Sequence, residues 1–185
     1  MAMNNKKLII CLIFFMLVFL NYAKTQSLFA YIETTGGKNE FCTNQIITLV
    51  GQTENGSGSF LNHTWMGNNE MIIKTIENVA IIKSNKSGSY QFTYTVKDNT
   101  GEEATVNITI FFKESPFANL VISNNEILIN NIVSAGEPKY TWFLNGKEIE
   151  VSEKRLQSVE NGEYKVVITD GNGCSFATKK VMYSK

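Results

Sequence analysis

The sequence predicts an all-β chain built as two β-sandwich domains in tandem, and three observations predict it. Tyr140, Trp142 and Leu144 alternate with Thr141 and Phe143, the period of a strand with one buried face. Tyr164, Val166 and Ile168 repeat that alternation, and Asp170, Gly171, Asn172 and Gly173 follow as a hairpin turn. The same succession occurs earlier: Trp65, then Gly88 and Tyr90, then Asp98 and Gly101. Equivalent residues are offset by roughly seventy-five positions, which marks an internal repeat of a small domain. The expected division is a leader over 1–27, a first domain over 28–113 and a second over 114–185. Each domain then has roughly seventy to eighty-five residues, small for a hydrophobic core but sufficient for a sandwich.

The leader comes first. Lys6 and Lys7 make a positive start, and an apolar run over 8–20 ends at Asn21. About thirteen apolar residues are too few for a stable membrane anchor and suit a signal peptide, cleaved after Ala23 or Ser27. The competing reading is a short N-terminal anchor. Cys11 is no lipidation site, because almost no apolar run precedes it.

A short strand over 28–33 and a glycine turn at Gly36 and Gly37 open the first domain. Cys42 lies in the loop leading to a strand over 45–50, rich in branched residues. A Gly/Ser/Asn loop over 53–59 precedes the Trp65 strand, in which Leu61 and His63 share the tryptophan's face by parity. Two middle strands follow over 71–76 and 79–83, then a closing hairpin of 90–96 and 104–112 around the Asp98 turn. In its last strand Ala104, Val106, Ile108 and Ile110 face one way, and Thr105, Asn107 and Thr109 face the other. Pro116 cannot join a central strand, so the domain boundary falls there, beside Phe111, Phe112 and Phe117. Apolar residues at so short a junction imply that the domains touch. The second domain is expected as strands over 120–123, 126–133, 139–145, 156–159, 163–169 and 175–183, with a turn at Asn145 and Gly146.

Composition excludes several functions. Lys plus Arg and Asp plus Glu both number 17, and no clustered basic face is visible, so no nucleic-acid partner is expected. Arg155 is the only arginine and Asn is abundant, which reads as the codon bias of an AT-rich genome. The sequons at Asn55, Asn62, Asn85 and Asn107 then follow from Asn abundance and matter only in a eukaryotic secretory pathway.

Little catalytic chemistry is present, and the chain reads as no enzyme. His63 is the only histidine, so a Ser/His or Cys/His mechanism must run through it, and its face predicts a structural role. No cofactor and no metal are expected, since no His/Cys/carboxylate cluster has ligand spacing. Glu102 and Glu103 point to opposite faces if extended, and Glu148 and Glu150 sit at a solvated turn edge. Asp98 and Asp170 precede turns, where Asp caps its own backbone; calcium at either turn is the competing reading. Trp65, Tyr90, Trp142 and Tyr164 are read as core rather than as a sugar-stacking platform. Phe111, Phe143 and the loops over 53–59 and 136–138 are the candidate contact surfaces.

Tyr140 and Trp142 with Asn145-Gly146, then Gly162 and Tyr164 with Thr169, Asp170, Asn172, Gly173 and Cys174, resemble the PKD/Ig-like repeats of large exported bacterial surface proteins, including gliding-motility-associated ones. The first domain carries the motif as far as Gly101 and has Glu102 where the second has Cys174. The resemblance implies an Ig-like sandwich and a structural, adhesive or binding role at the cell surface, with a protein or glycan partner. Three rival roles stand beside it. One is a hydrolase, which needs His63 exposed beside a nucleophile, and one is a small glycan-binding protein. In the third the second domain is a sorting module for type IX secretion, which its Gly162-to-Tyr164 segment and Lys179-Lys180-Val181 tail resemble, although the usual Pro-Asn-Pro opening is missing. After cleavage no stable membrane span remains, and the product is secreted or held at the surface.

Each domain keeps one cysteine of the family pattern, Cys42 in the first and Cys174 in the second. Sandwich topology places Cys42 at the end where the first domain exits and Cys174 at the end where the second begins. An oxidising destination favours pairing, so an interdomain Cys42–Cys174 disulfide is expected, against the alternative of two unpaired thiols.

Overall fold

In the computed structural model the described residues are 26–157 and 159–185. The expected leader lies, as far as residue 25, outside them. The strands are β1 (Phe29–Thr34), β2 (Glu40–Cys42), β3 (Ile47–Glu54), β4 (Phe60–Met66), β5 (Ile72–Ile76), β6 (Val79–Ile82), β7 (Gly88–Asp98) and β8 (Glu103–Lys113). There follow β9 (Phe117–Ser123), β10 (Glu126–Val133), β11 (Lys139–Leu144), β12 (Lys147–Ile149), β13 (Arg155–Leu156), β14 (Gly162–Thr169), β15 (Ser175–Ala177) and β16 (Val181–Tyr183). The fold is all-β and Ig-like.

The first sandwich packs the sheet β1-β3-β6-β5 against β2-β8-β7-β4. Its second sheet is dominated by the hairpin of β7 and β8, eleven residues each, in continuous register from Gly88 opposite Phe112 to Lys97 opposite Glu103. Phe92, Tyr94 and Val96 on β7 and Ile110 and Phe112 on β8 are fully buried with Leu49, Ala80 and Ile82 from the facing sheet. Alternation along β8 is what lets one strand supply both a core row and a wet row.

The second sandwich packs β13-β10-β9 against β12-β11-β14, with β15 and β16 both paired to β14. Its core holds Ile127, Trp142, Val166 and Ile168, all fully buried. Asparagine serves the turns: Asn124 and Asn125 take φ of 47° and 64° between β9 and β10, and Asn145 and Gly146 take 50° and 79° between β11 and β12. Two positive φ values in a two-residue loop make the type I′ hairpin, in which Asn and Gly pay the least steric cost.

Three expectations need correction. Cys42 does not lie in a loop; it ends β2, a short strand that pairs parallel with β8. Leu61 does not share the tryptophan's face. A bulge between Phe60 and Asn62 makes Leu61 the extra residue, so it is 71% exposed while Phe60 packs on the core. The last strand is not continuous over 175–183: the chain breaks between β15 and β16, where the Thr178 N–H donates to the Val166 carbonyl and the Thr178 hydroxyl accepts from the Val166 N–H.

Candidate functional site at the sandwich junction

The place where the chain departs most from a bland sandwich is the junction. β2 lies along β8, which sets Cys42 opposite Lys113 in register, and Lys113 Nζ pairs with Glu40 at 2.7 Å. Beyond the strand the Cys42 N–H donates to Gln45 Oε1 at 2.8 Å, and Thr43 ties down the linker. The Thr43 N–H donates to the Lys113 carbonyl at 2.8 Å, Ser115 N–H donates to Thr43 Oγ1 at 2.9 Å, and Ser115 Oγ donates to the Thr43 carbonyl at 2.9 Å. Thr43 is buried, so these bonds are shielded from competing water.

From the second sandwich comes the turn after β14. Asp170 Oδ1 accepts the N–H groups of Asn172 and Cys174 at 2.9 and 2.8 Å, and the Asp170 N–H donates to the Cys174 carbonyl at 2.9 Å. The Gly171 N–H donates to the Ala135 carbonyl at 2.7 Å, and a side chain at Gly171 would meet that oxygen at 2.9 Å. The turn is therefore fixed on both sides and presents Cys174 to the first sandwich. Cys42 and Cys174 are joined by a disulfide across 132 positions, with Cα atoms 5.7 Å apart. That separation falls in the usual range for an unforced bridge. Cys174 is fully buried and Cys42 half-buried.

A cleft of about 940 Å³ opens beside the bridge. Thr35, Lys38, Gln45, Ile46 and Lys113 from the first sandwich and Asn172 from the second line it. Gly36 and Gly37, at φ of 68° and 66°, leave backbone bare along one wall. Ile46 is 65% exposed. The arrangement offers amide, hydroxyl and ammonium groups around an apolar spot.

The other residues singled out by sequence are dispersed. Trp65 packs on Tyr94 with ring centroids 4.9 Å apart, and Trp142 is fully buried with Nε1 donating to the Glu153 carbonyl at 2.9 Å. Tyr164 closes a tyrosine corner, its hydroxyl donating to the Glu160 carbonyl at 3.0 Å; Tyr90 does the same to Ser87 at 3.1 Å. Burial is the main reason the Tyr164 hydroxyl titrates above its ordinary range. His63 Nδ1 lies 2.6 Å from the Tyr94 hydroxyl, which burial pushes up to about 12, and the ring's other aromatic neighbour is Phe60. Phe111 is 40% exposed on β8, and Phe143 is half-buried with Lys165 Nζ 4.6 Å from its ring centre. Neither lies in the cleft.

Asp98 is held by a denser set of donors than Asp170. Thr100 donates its hydroxyl and its N–H to Oδ1, Glu102 N–H joins them, and Ser57 N–H reaches Oδ2. The Thr100 hydroxyl leads in holding the Asp98 carboxyl far below the usual carboxylate range, desolvation opposing it and the Ser57 and Glu102 N–H groups adding to it. Glu102 itself accepts the Leu28 N–H at 3.0 Å. Among the described residues no three His, Cys, Asp or Glu side chains converge on one point. No described helix is long and apolar enough to cross a membrane.

Sequence reasoning missed the Thr43–Ser115 clasp. Its only signal was a hydroxyl beside each end of the junction, and nothing in spacing ties positions 72 apart.

No protein-family model matches the chain, and no curated protein matches it. Among solved structures it is similar to the fibronectin(III)-like modules of CbhA from Clostridium thermocellum, at 14% identity and a TM-score of 0.40, covering 83% of this chain and 94% of that one. It is also similar to murine CEACAM1b, at 11% identity and a TM-score of 0.37, covering 84% and 98%. A third is the three N-terminal domains of the Hoc protein of bacteriophage RB49, at 18% identity and a TM-score of 0.40, covering 84% and 59%.

Proposed function

We propose that the chain is an exported, non-enzymatic tandem of Ig-like domains, over 28–113 and 114–185, with a structural or adhesive role at a bacterial cell surface. The observation that carries this reading is the Cys42–Cys174 bridge between the two sandwiches. Such a bond persists where the surroundings are oxidising, as they are outside the cytosol. The basic and apolar start of the sequence supports the same route, and two separate hydrophobic cores support the domain division. The PKD-like, gliding-motility-associated resemblance of the Trp142 and Tyr164 motifs fits a surface repeat.

The test is mass spectrometry of the exported, unreduced protein after thiol alkylation, together with its N-terminal sequence. The reading expects no alkylated cysteine and a start between Lys24 and Leu28. Two free thiols, or an intact Met1, would overturn it. A second reading, glycan binding, is favoured by the amide- and hydroxyl-lined junction cleft. Binding on a glycan array that is lost on substituting Asn172 and Gln45 by Ala supports it; an array without hits removes it.

A further inference from the structure

We infer that the junction bridge exchanges with small thiols at one sulfur only, Cys42 Sγ, which takes the thiol as a mixed disulfide and releases Cys174. Exchange has a directional requirement. The incoming thiolate reaches the sulfur it attacks along the S–S axis, from the side opposite the bond that breaks. Cys42 can therefore be attacked only from the first sandwich's side of the bridge, and Cys174 only from the second's.

The two sides differ. Cys174 is fully buried and takes no part in lining the junction cleft. Its turn closes around it: Asp170 Oδ1 accepts the Cys174 N–H, the Asp170 N–H donates to the Cys174 carbonyl, and the Ala135 carbonyl backs Gly171. Cys42 is half-buried and lines the cleft of about 940 Å³, with Lys38, Gln45 and Ile46 beside it. Three glycines keep that cleft wide, since a Cβ at Gly36, Gly37 or Gly173 would meet nothing within 4 Å. The charge there suits a thiolate, which is the attacking form. Glu40 is matched by Lys113 at 2.7 Å, whereas Lys38 makes no ion pair among the described residues.

The step balances as an exchange of one S–S bond for another. The thiolate sulfur bonds to Cys42 Sγ, the Cys42–Cys174 bond breaks, and its electron pair leaves with Cys174 Sγ, which then takes a proton. A second small thiol can release Cys42 in turn, leaving two protein thiols and the small disulfide. Opening does not part the sandwiches at once, because the bonds between Thr43 and Ser115 pass through neither sulfur. This inference rests on the bridge itself and not on a role at a cell surface.

The test uses the full bridged chain and 2-mercaptoethanesulfonate, with acid quenching at early times, alkylation of freed thiols and peptide mass mapping. The expected product carries the small thiol on Cys42 and the alkyl group on Cys174, in about tenfold or greater excess over the converse. In urea, where burial no longer shields Cys174, the excess should fall to about twofold or less. No adduct on the folded chain, an adduct mainly or equally on Cys174, or a Cys42 preference that persists in urea would each overturn the inference. Two free thiols in the unreacted sample would overturn it together with the bridge, a result distinct from the other three.

Discussion

The two sandwiches carry the same tryptophan strand and part company at the next turn. After Trp142 the chain turns at Asn145 and Gly146, both at positive φ, and β12 stays hydrogen-bonded to β11 in the same sheet. After Trp65 the chain passes Gly67, and Asn68 organises a different turn, its carbonyl accepting the Met71 N–H at 2.9 Å and its Oδ1 the Glu70 N–H at 3.0 Å. That turn leads into β5, which pairs with β6 in the opposite sheet. One turn therefore decides which sheet receives the next strand. A tight I′ hairpin returns the chain beside the strand it has just left, whereas the wider turn releases it across the core. The repeats differ again four residues after the turn aspartate. Glu102 and Cys174 occupy the same place, with the Asp98 and Asp170 N–H groups bonded to their respective carbonyls. Each makes a different grip: Glu102 holds the Leu28 N–H at the start of its own sandwich, and Cys174 holds the sandwich that precedes its own.

The largest effect should come from removing the second grip. Replacing Cys42 and Cys174 together by Ser opens a loop of 132 positions, worth up to about 5 kcal/mol by the chain-entropy estimate. Chemical denaturation should then resolve two transitions; a shift below about 1 kcal/mol would mean that the bridge constrains little.

Next come the tryptophans. Trp142→Ala should cost about 3–5 kcal/mol, because the ring is fully buried and its N–H is bonded to Glu153. Trp65→Ala should cost less, since Trp65 is 9% exposed and its Nε1 has no hydrogen-bond partner among the described residues. Equal losses in urea would remove that asymmetry.

Smaller are the two turn glycines. A Cβ at Gly67 would meet buried Phe92 at 2.6 Å, so Gly67→Ala should cost about 1–3 kcal/mol through overpacking. At Gly146 nothing lies within 4 Å and only the φ of 79° penalises a side chain, so Gly146→Ala should cost about 1 kcal/mol. Thermal melts of the pair rank clash against backbone strain.

The smallest effect is acid sensitivity of the first sandwich. A depressed carboxylate contributes stability above its unfolded pKa and loses it as pH falls through the folded value, so the contribution of Asp98 should decline below about pH 4. Asp98→Asn should flatten that decline in a denaturation series from pH 5 to 2; an unaltered slope would assign it to other groups.

Strand positions were legible wherever side chains alternate over many residues, as in β7, β8 and β14, because burial on one face writes a period of two. β2 was not legible. Three residues with one buried phenylalanine carry no period, and parallel pairing with β8 is a tertiary event. The exposure of Leu61 was lost for a related reason: one inserted residue reverses parity, and nothing in composition marks the insertion. Both cysteines were readable as candidates, but the clasp from Thr43 to Ser115 was not, since hydroxyls bond wherever the fold brings them.

The bridge also redraws the path of mechanical load. A pull between the start and the end of the described chain enters through β1, crosses at Cys42 to Cys174, and leaves through β15 and β16. Residues 43–173, with both tryptophan strands, hang to the side of that line. Only the stretches outside the bridge can be drawn out while it holds, a small fraction of the length that a reduced chain would release at about 3.3–3.6 Å per residue. Under tension two sandwiches would behave as one short, nearly inextensible link.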